Sequence, residues 1–99
     1  MDPGTQARDK TGIRAGVWLN VEQFELITQE LGADSDTSRA RLLGVDPKTI
    51  YRARRGVIGE EFIAKALAVM LEHADTLREV GIEPIFESMF EVGTKEVAA

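Results

Sequence analysis

A chain of 99 residues, 43% hydrophobic and 29% charged, has the composition of one small globular domain and is too short to support a second core. The absence of cysteine excludes a disulfide scaffold, a thiolate zinc site and a thiol nucleophile, and the single His73 speaks against a histidine-rich metal centre or a histidine-based triad. Twelve basic against seventeen acidic residues give a net charge of −5, which over the whole chain argues against nucleic acid.

Residues 1–12 are polar, carry Pro3, Gly4 and Gly12, and read as a flexible lead-in. Residues 13–99 read as a single domain. Ile13 to Leu19 suits a short strand. Asn20 then opens a helix: its side chain is placed to accept from the first-turn amides, and Leu19 and Phe24 are spaced as a hydrophobic staple. Val21, Phe24, Ile27 and Leu31 form the apolar stripe, and Gly32 supplies a left-handed stop. Asp34, Ser35, Asp36 and Thr37 are all candidate caps for a second, short helix that carries Ala40 and Leu43 inward and ends at Gly44.

Asp46 caps a third helix with Pro47 at its first position, where a missing amide costs nothing. This helix is expected over 47–55, with Ile50 and Ala53 inward and Gly56 closing it. Two helices joined by a short glycine turn make a helix-turn-helix over 36–56. A fourth helix starts at Glu60-Glu61, with an apolar stripe of Phe62, Ile63, Ala66, Leu67, Met70 and Leu71 that continues through Ala74, Leu77 and Val80 to Gly81. Glu83-Pro84 reads as another helix start. Met89 to Val97 fits either a helical extension or an edge strand, and the alternation of Phe90 and Val92 with Glu91 and Gly93 suits the strand better. The expected fold is mainly α, with four to five helices, a helix-turn-helix and a short terminal strand pair.

The charge is not spread evenly. Residues 1–36 hold three basic and seven acidic groups, and residues 60–99 hold three and nine. Residues 37–59 hold six basic groups (Arg39, Arg41, Lys48, Arg52, Arg54, Arg55) and only Asp46. An acidic body with one basic island presents a local field, and a polyanion responds to that field more than to the total. With Ile50 and Ala53 inward, Lys48, Thr49, Tyr51, Arg52 and Arg55 lie outward or on the flanks of the third helix. Arginine's fork matches the two acceptors of a guanine edge, so Arg52 is the best candidate for reading a base.

The stretch Asp36 to Gly56, DTSRARLLGVDPKTIYRARRG, resembles the helix-turn-helix of Cro-like and phage-repressor-like regulators. The matching residues are Ala40 at the helix crossing, Leu43, Gly44 and Val45 at the turn, Ile50 in the core, and Thr49-Ile50-x-Arg52 running to Gly56. Val17-Trp18-Leu19-Asn20, Phe62-Ile63-Ala64 and Phe86 with Phe90-Glu91-Val92 extend the similarity to small phage and actinobacterial regulators, over most of residues 17–92. The resemblance implies a sequence-specific DNA-binding transcriptional regulator, a repressor on an operator, with Lys48, Thr49, Tyr51 and Arg52 facing the groove. Arg55 would then lie nearer the backbone, and Thr37 and Ser38 would meet a phosphate.

Three positions depart from the family pattern. Arg39 stands where a large apolar residue is usual, so either it snorkels to solvent or the second helix is rotated or late. Asp36 stands where a phosphate-contacting glutamine is common and is expected only to cap its helix. Arg54 stands where glutamate is common, and its role is open.

The expected partners are double-stranded DNA and a second copy of the chain, with residues 82–99 as dimerisation segment. No membrane, small-molecule ligand, cofactor, metal or enzymatic activity is expected, and the expected location is cytoplasmic. The competing readings are a protein-binding module on the same fold, antitoxin-like or host-protein-blocking, and an excisionase-like architectural DNA binder.

Overall fold

The computed structural model of the protein describes residues 13–96. The lead-in expected over residues 1–12 lies outside the described residues. Among those described, the order is β1 (Ile13–Leu19), α1 (Val21–Glu30), α2 (Asp36–Leu43), α3 (Pro47–Ala53), α4 (Glu60–Glu72), α5 (Ala74–Glu79), a 3-10 turn (Phe86–Ser88) and β2 (Phe90–Glu96). The expected mainly α fold with a terminal strand pair is the one observed. No helix among the described residues is long and apolar enough to cross a membrane.

Local chemistry sets the helix starts. The Asn20 side chain accepts from the Gln23 amide at 3.2 Å and opens α1. Of the four candidate caps for α2, Ser35 is used, because Ser38 completes a reciprocal capping box. Ser35 Oγ accepts from the Ser38 amide at 3.2 Å, and Ser38 Oγ accepts from the Ser35 amide at 3.0 Å. Asp46 accepts from the Lys48 amide at 2.8 Å and opens α3 behind Pro47.

The turn between α2 and α3 needs Gly44, whose φ of 71° is left-handed. The Val45 amide then returns to the Ala40 carbonyl at 2.9 Å, and Ala40 and Ile50 meet in the core at 1% and 0% exposure.

The core runs along a chain of rings. Phe24 of α1 lies 6.3 Å from Phe62 of α4, Phe62 lies 6.3 Å from Phe90 of β2, and Phe86 stacks on Phe90 at 5.2 Å. The first two of these contacts join elements distant in sequence. Ile27, Met70, Leu77 and Met89 fill the remaining space and are fully buried.

β1 and β2 pair antiparallel, with Leu19 opposite Phe90 and Ile13 opposite Glu96. The other edge of β1 meets the segment after α3, where the Ile58 amide donates to the Val17 carbonyl at 2.7 Å. That approach explains Gly16: a Cβ there would stand 2.8 Å from Val57 Cγ1.

Three expectations need correction. α3 ends at Ala53 rather than at residue 55, and Gly56 is not left-handed. The chain leaves the helix early because Val57 and Ile58 must return to β1.

The helix from Glu60 does not run on to Gly81. It breaks at His73, which ends α4 and opens α5. A continuous helix of that length would extend about 30 Å, the diameter of a small domain. The break lets α5 pack on α1 and buries Leu77, while Leu71 of the expected stripe is 61% exposed.

Glu83-Pro84 starts no α-helix. Only Phe86–Ser88 turn, because Met89 and Phe90 must enter the core and the Met89 carbonyl must meet the Asn20 amide at 2.9 Å.

No atom lies within 4 Å of a Cβ built on Gly44, so its substitution is opposed by backbone conformation alone. Gly44→Val is expected to lower stability by about 1–2 kcal/mol in urea unfolding. Gly56→Ala, at negative φ with its nearest neighbour at 3.8 Å, is expected to stay within about 0.5 kcal/mol of the parent. Equal losses at the two positions would contradict the turn geometry described.

Candidate nucleic-acid interface

The basic island divides into two populations once it is folded. Arg39 and Arg54 turn inward against carboxylates. Arg41, Lys48, Arg52 and Arg55 are exposed and carry no ion pair among the described residues.

The inward population is a clamp centred on Asp36. Its Oδ1 accepts from Arg39 Nη1 at 3.0 Å and from Arg54 Nη2 at 2.6 Å, and its Oδ2 accepts from Arg54 Nε at 3.1 Å. Arg54 Nη1 continues to Glu25 Oε2 at 2.6 Å, and its guanidinium lies 5.8 Å from the centre of the Phe24 ring.

Arg39 Nε donates to the Thr28 hydroxyl at 2.8 Å, and that hydroxyl donates back to the Phe24 carbonyl at 2.8 Å. Two cations and two anions therefore cancel while tying α1, the start of α2 and the end of α3 together. Bidentate, charge-assisted geometry of this kind is the stronger form of ion pair.

This arrangement corrects the readings of Arg39 and Asp36. Arg39 neither snorkels nor signals a rotated helix. It is 8% exposed with its head paired inside, and Ala40 and Leu43 still face the core. Asp36 does not cap α2, since Ser35 does; it neutralises two arginines. Glu25 on α1 receives Arg54.

Arg54 is the residue whose part the sequence left open. Its partners lie 18 and 29 positions away, so no local spacing could have identified them.

Of the outward population, Arg41 belongs to α2, whereas Lys48, Arg52 and Arg55 lie on or beside α3. Ile50 and Ala53 are buried at 0% and 6%, which fixes the helix's rotation and turns Lys48, Tyr51 and Arg52 to solvent. Thr49 is half-buried at the edge of a groove of about 420 Å³ that it shares with Val45, Phe62 and Lys65. Lys65 Nζ donates to the Gly44 carbonyl at 3.1 Å, so α4 braces the turn.

Arg55 lies past the end of the helix. Its guanidinium sits 3.8 Å from the Tyr51 ring centre, and its Nη1 donates to the Tyr51 carbonyl at 3.0 Å. At the start of α2, Thr37 is exposed, whereas the Ser38 hydroxyl is engaged with Ser35. Lys48, Tyr51, Arg52 and Arg55 are thus brought together as one surface. Thr49 flanks it, and Thr37 and Ser38 belong to the neighbouring helix.

The Arg54 hydrogen bonds, more than any other cause, hold the Asp36 carboxyl below its ordinary value of 3.8; burial opposes this and Arg39 reinforces it. The folded protein therefore binds that proton less tightly than the unfolded chain does. The clamp's contribution is complete above the ordinary carboxylate range and is lost as pH falls through it toward the depressed folded value. Asp36→Asn is expected to flatten the loss of stability below about pH 4. Arg54→Leu is expected to cost about 1–2 kcal/mol at neutral pH, the moderate figure for a partly exposed network. Urea unfolding across pH measures both, and an unchanged acid limb in the Asp36 variant would count against the clamp.

No protein-family model matches the sequence, no curated protein matches it significantly, and no solved structure matches its fold significantly.

Proposed function

We propose that the chain is a sequence-specific DNA-binding regulator of transcription that reads duplex DNA with the outer face of α3. One observation carries the reading: the inner side of α3 is locked into the core, while its outer side holds cations that no carboxylate among the described residues neutralises. A rigid helix presenting unpaired arginine and lysine in a turn-linked helix pair meets the requirements of major-groove recognition. The acidic remainder confines polyanion contact to this face.

Arg52 contacts a base edge, Lys48, Thr49 and Tyr51 line the same groove, and Arg55 meets the backbone. Thr37 approaches a neighbouring phosphate with its exposed hydroxyl, and Ser38, whose hydroxyl and amide are engaged with Ser35, stands beside it. The reading needs no enzymatic step, cofactor, metal or small-molecule ligand.

A helix of seven residues reads only a few base pairs, so the operator is proposed to be two-fold and the protein a homodimer on it. One edge of β2 is paired by β1 in the same chain, so a second copy is not needed there. The outer edge of β2 is open among the described residues, with Val92 72% exposed, and remains the proposed seam.

Asp36 and Arg39, as departures from the family pattern, favour a protein-binding module on the same fold. The internal clamp accounts for both, and the net charge is what remains in its favour.

Selection of bound sequences from a random duplex pool is expected to return a two-fold site. With Arg55 placed on a backbone phosphate, the logarithm of affinity is expected to fall with the logarithm of salt at a slope of about −1 per protomer, steeper where Lys48 also reaches a phosphate. Arg52→Ala is expected to cost about 1–3 kcal/mol on the selected site and to relax one base position per half-site. Arg55→Ala is expected to weaken all sequences alike and to flatten the slope by about one. A flat salt response would favour the protein-binding module, and a bent site carrying several copies would favour the architectural binder.

A further inference from the structure

Tyr51 has no role in the core. It is 59% exposed on the outer face of α3, and its ring touches neither the phenylalanine chain nor the clamp. Its neighbour is Arg55, whose guanidinium carbon stands 3.8 Å from the ring centre. That separation is contact distance for a cation over an aromatic face.

A second contact fixes the same group from below. At the end of α3 the Ile50 carbonyl accepts from the Arg54 amide and the Arg52 carbonyl from the Arg55 and Gly56 amides, whereas the Tyr51 carbonyl accepts from Arg55 Nη1 at 3.0 Å. One face of the guanidinium is covered and one of its five N–H groups is engaged. The others remain open on an exposed residue.

Arg52 is exposed on the same surface, and among the described residues its side chain makes no hydrogen bond, ion pair or ring contact. A free side chain can adjust to a base edge. A guanidinium already held by a ring and a carbonyl has little rotamer entropy left to lose, and its planar fork matches a phosphate with two parallel hydrogen bonds. Position agrees with this division, since Arg55 follows the helix whereas Arg52 lies within it.

We infer that Tyr51 is a positioning residue whose ring holds Arg55 as a preformed clamp for a DNA-backbone phosphate, so that the two act as one unit and Tyr51 reads no base. The inference rests on the DNA-binding reading above and gives Tyr51 an indirect part in it, through Arg55.

The test uses the full chain, a duplex carrying the selected site and a scrambled duplex of equal length, with binding followed by fluorescence anisotropy across a salt series. Tyr51→Leu is expected to weaken both duplexes about threefold, the scale of an exposed cation–ring contact, without changing base preference. Tyr51→Phe keeps the ring and is expected to bind as the parent does. In an Arg55→Gln background, Tyr51→Leu is expected to cost nothing further.

Without DNA, the Arg55 Nε–H proton is expected to be shifted upfield by the ring in NMR spectra, and Tyr51→Leu is expected to abolish that shift. Three results would overturn the inference while leaving DNA binding intact: additive losses in the double variant, a changed base preference in Tyr51→Leu, or a Phe variant as weak as the Leu variant. An unshifted Arg55 resonance in the parent would overturn it at the level of the free protein. Failure of the parent to bind either duplex would remove the DNA-binding reading itself, and this inference with it.

Discussion

One carboxylate organises the charged half of this protein. Asp36 accepts three hydrogen bonds from Arg39 and Arg54, and Arg54 passes the connection on to Glu25. A buried or half-buried arginine without an anion would be costly, and a carboxylate at this position without cations would repel any approaching phosphate. Together they cancel, and the cancellation fixes the end of α3 against α1 and the beginning of α2. Because Arg54 lies directly after Ala53, the clamp also marks the place where the chain leaves α3 to return to β1.

The apolar half works from the opposite side of the same helix. Ile50 and Ala53 are buried in the same core as Ala40 and Leu43 of α2 and the phenylalanine chain that runs from Phe24 through Phe62 to Phe90. Edge-to-face and tilted rings give that chain directionality that aliphatic contacts lack. α3 is short, and a seven-residue helix is not stable alone. Its rigidity comes from tertiary contacts on one side and the charge clamp at its end. A recognition surface on so short an element depends on that support.

The proposed interface is what remains after these requirements are met. Six basic residues lie between 37 and 59, but two are consumed internally and Arg55 is drawn onto Tyr51. Lys48 and Arg52 are left as the adaptable cations of α3. Counting charges along the chain would have overstated the field that a nucleic acid meets, and folding reduces it to a narrow face.

The sequence by itself determined the helix starts and the inward faces. Asn20, Asp46-Pro47 and the Gly44 turn act through neighbours two to five residues away, so their geometry was legible from spacing. The same holds for the inward direction of Phe24, Ala40, Ile50 and Phe62, which follows from helical period.

Tertiary structure decided what depends on distant partners. The break at His73, the early end of α3 and the missing helix after Pro84 each let a segment reach a contact that local propensity does not encode. The roles of Arg39, Arg54 and Glu25 were decided in the same way. Their charges were visible in the chain, but a side chain's partner is chosen by the fold, and only the packing of α1, α2 and the end of α3 brings two arginines to one carboxylate.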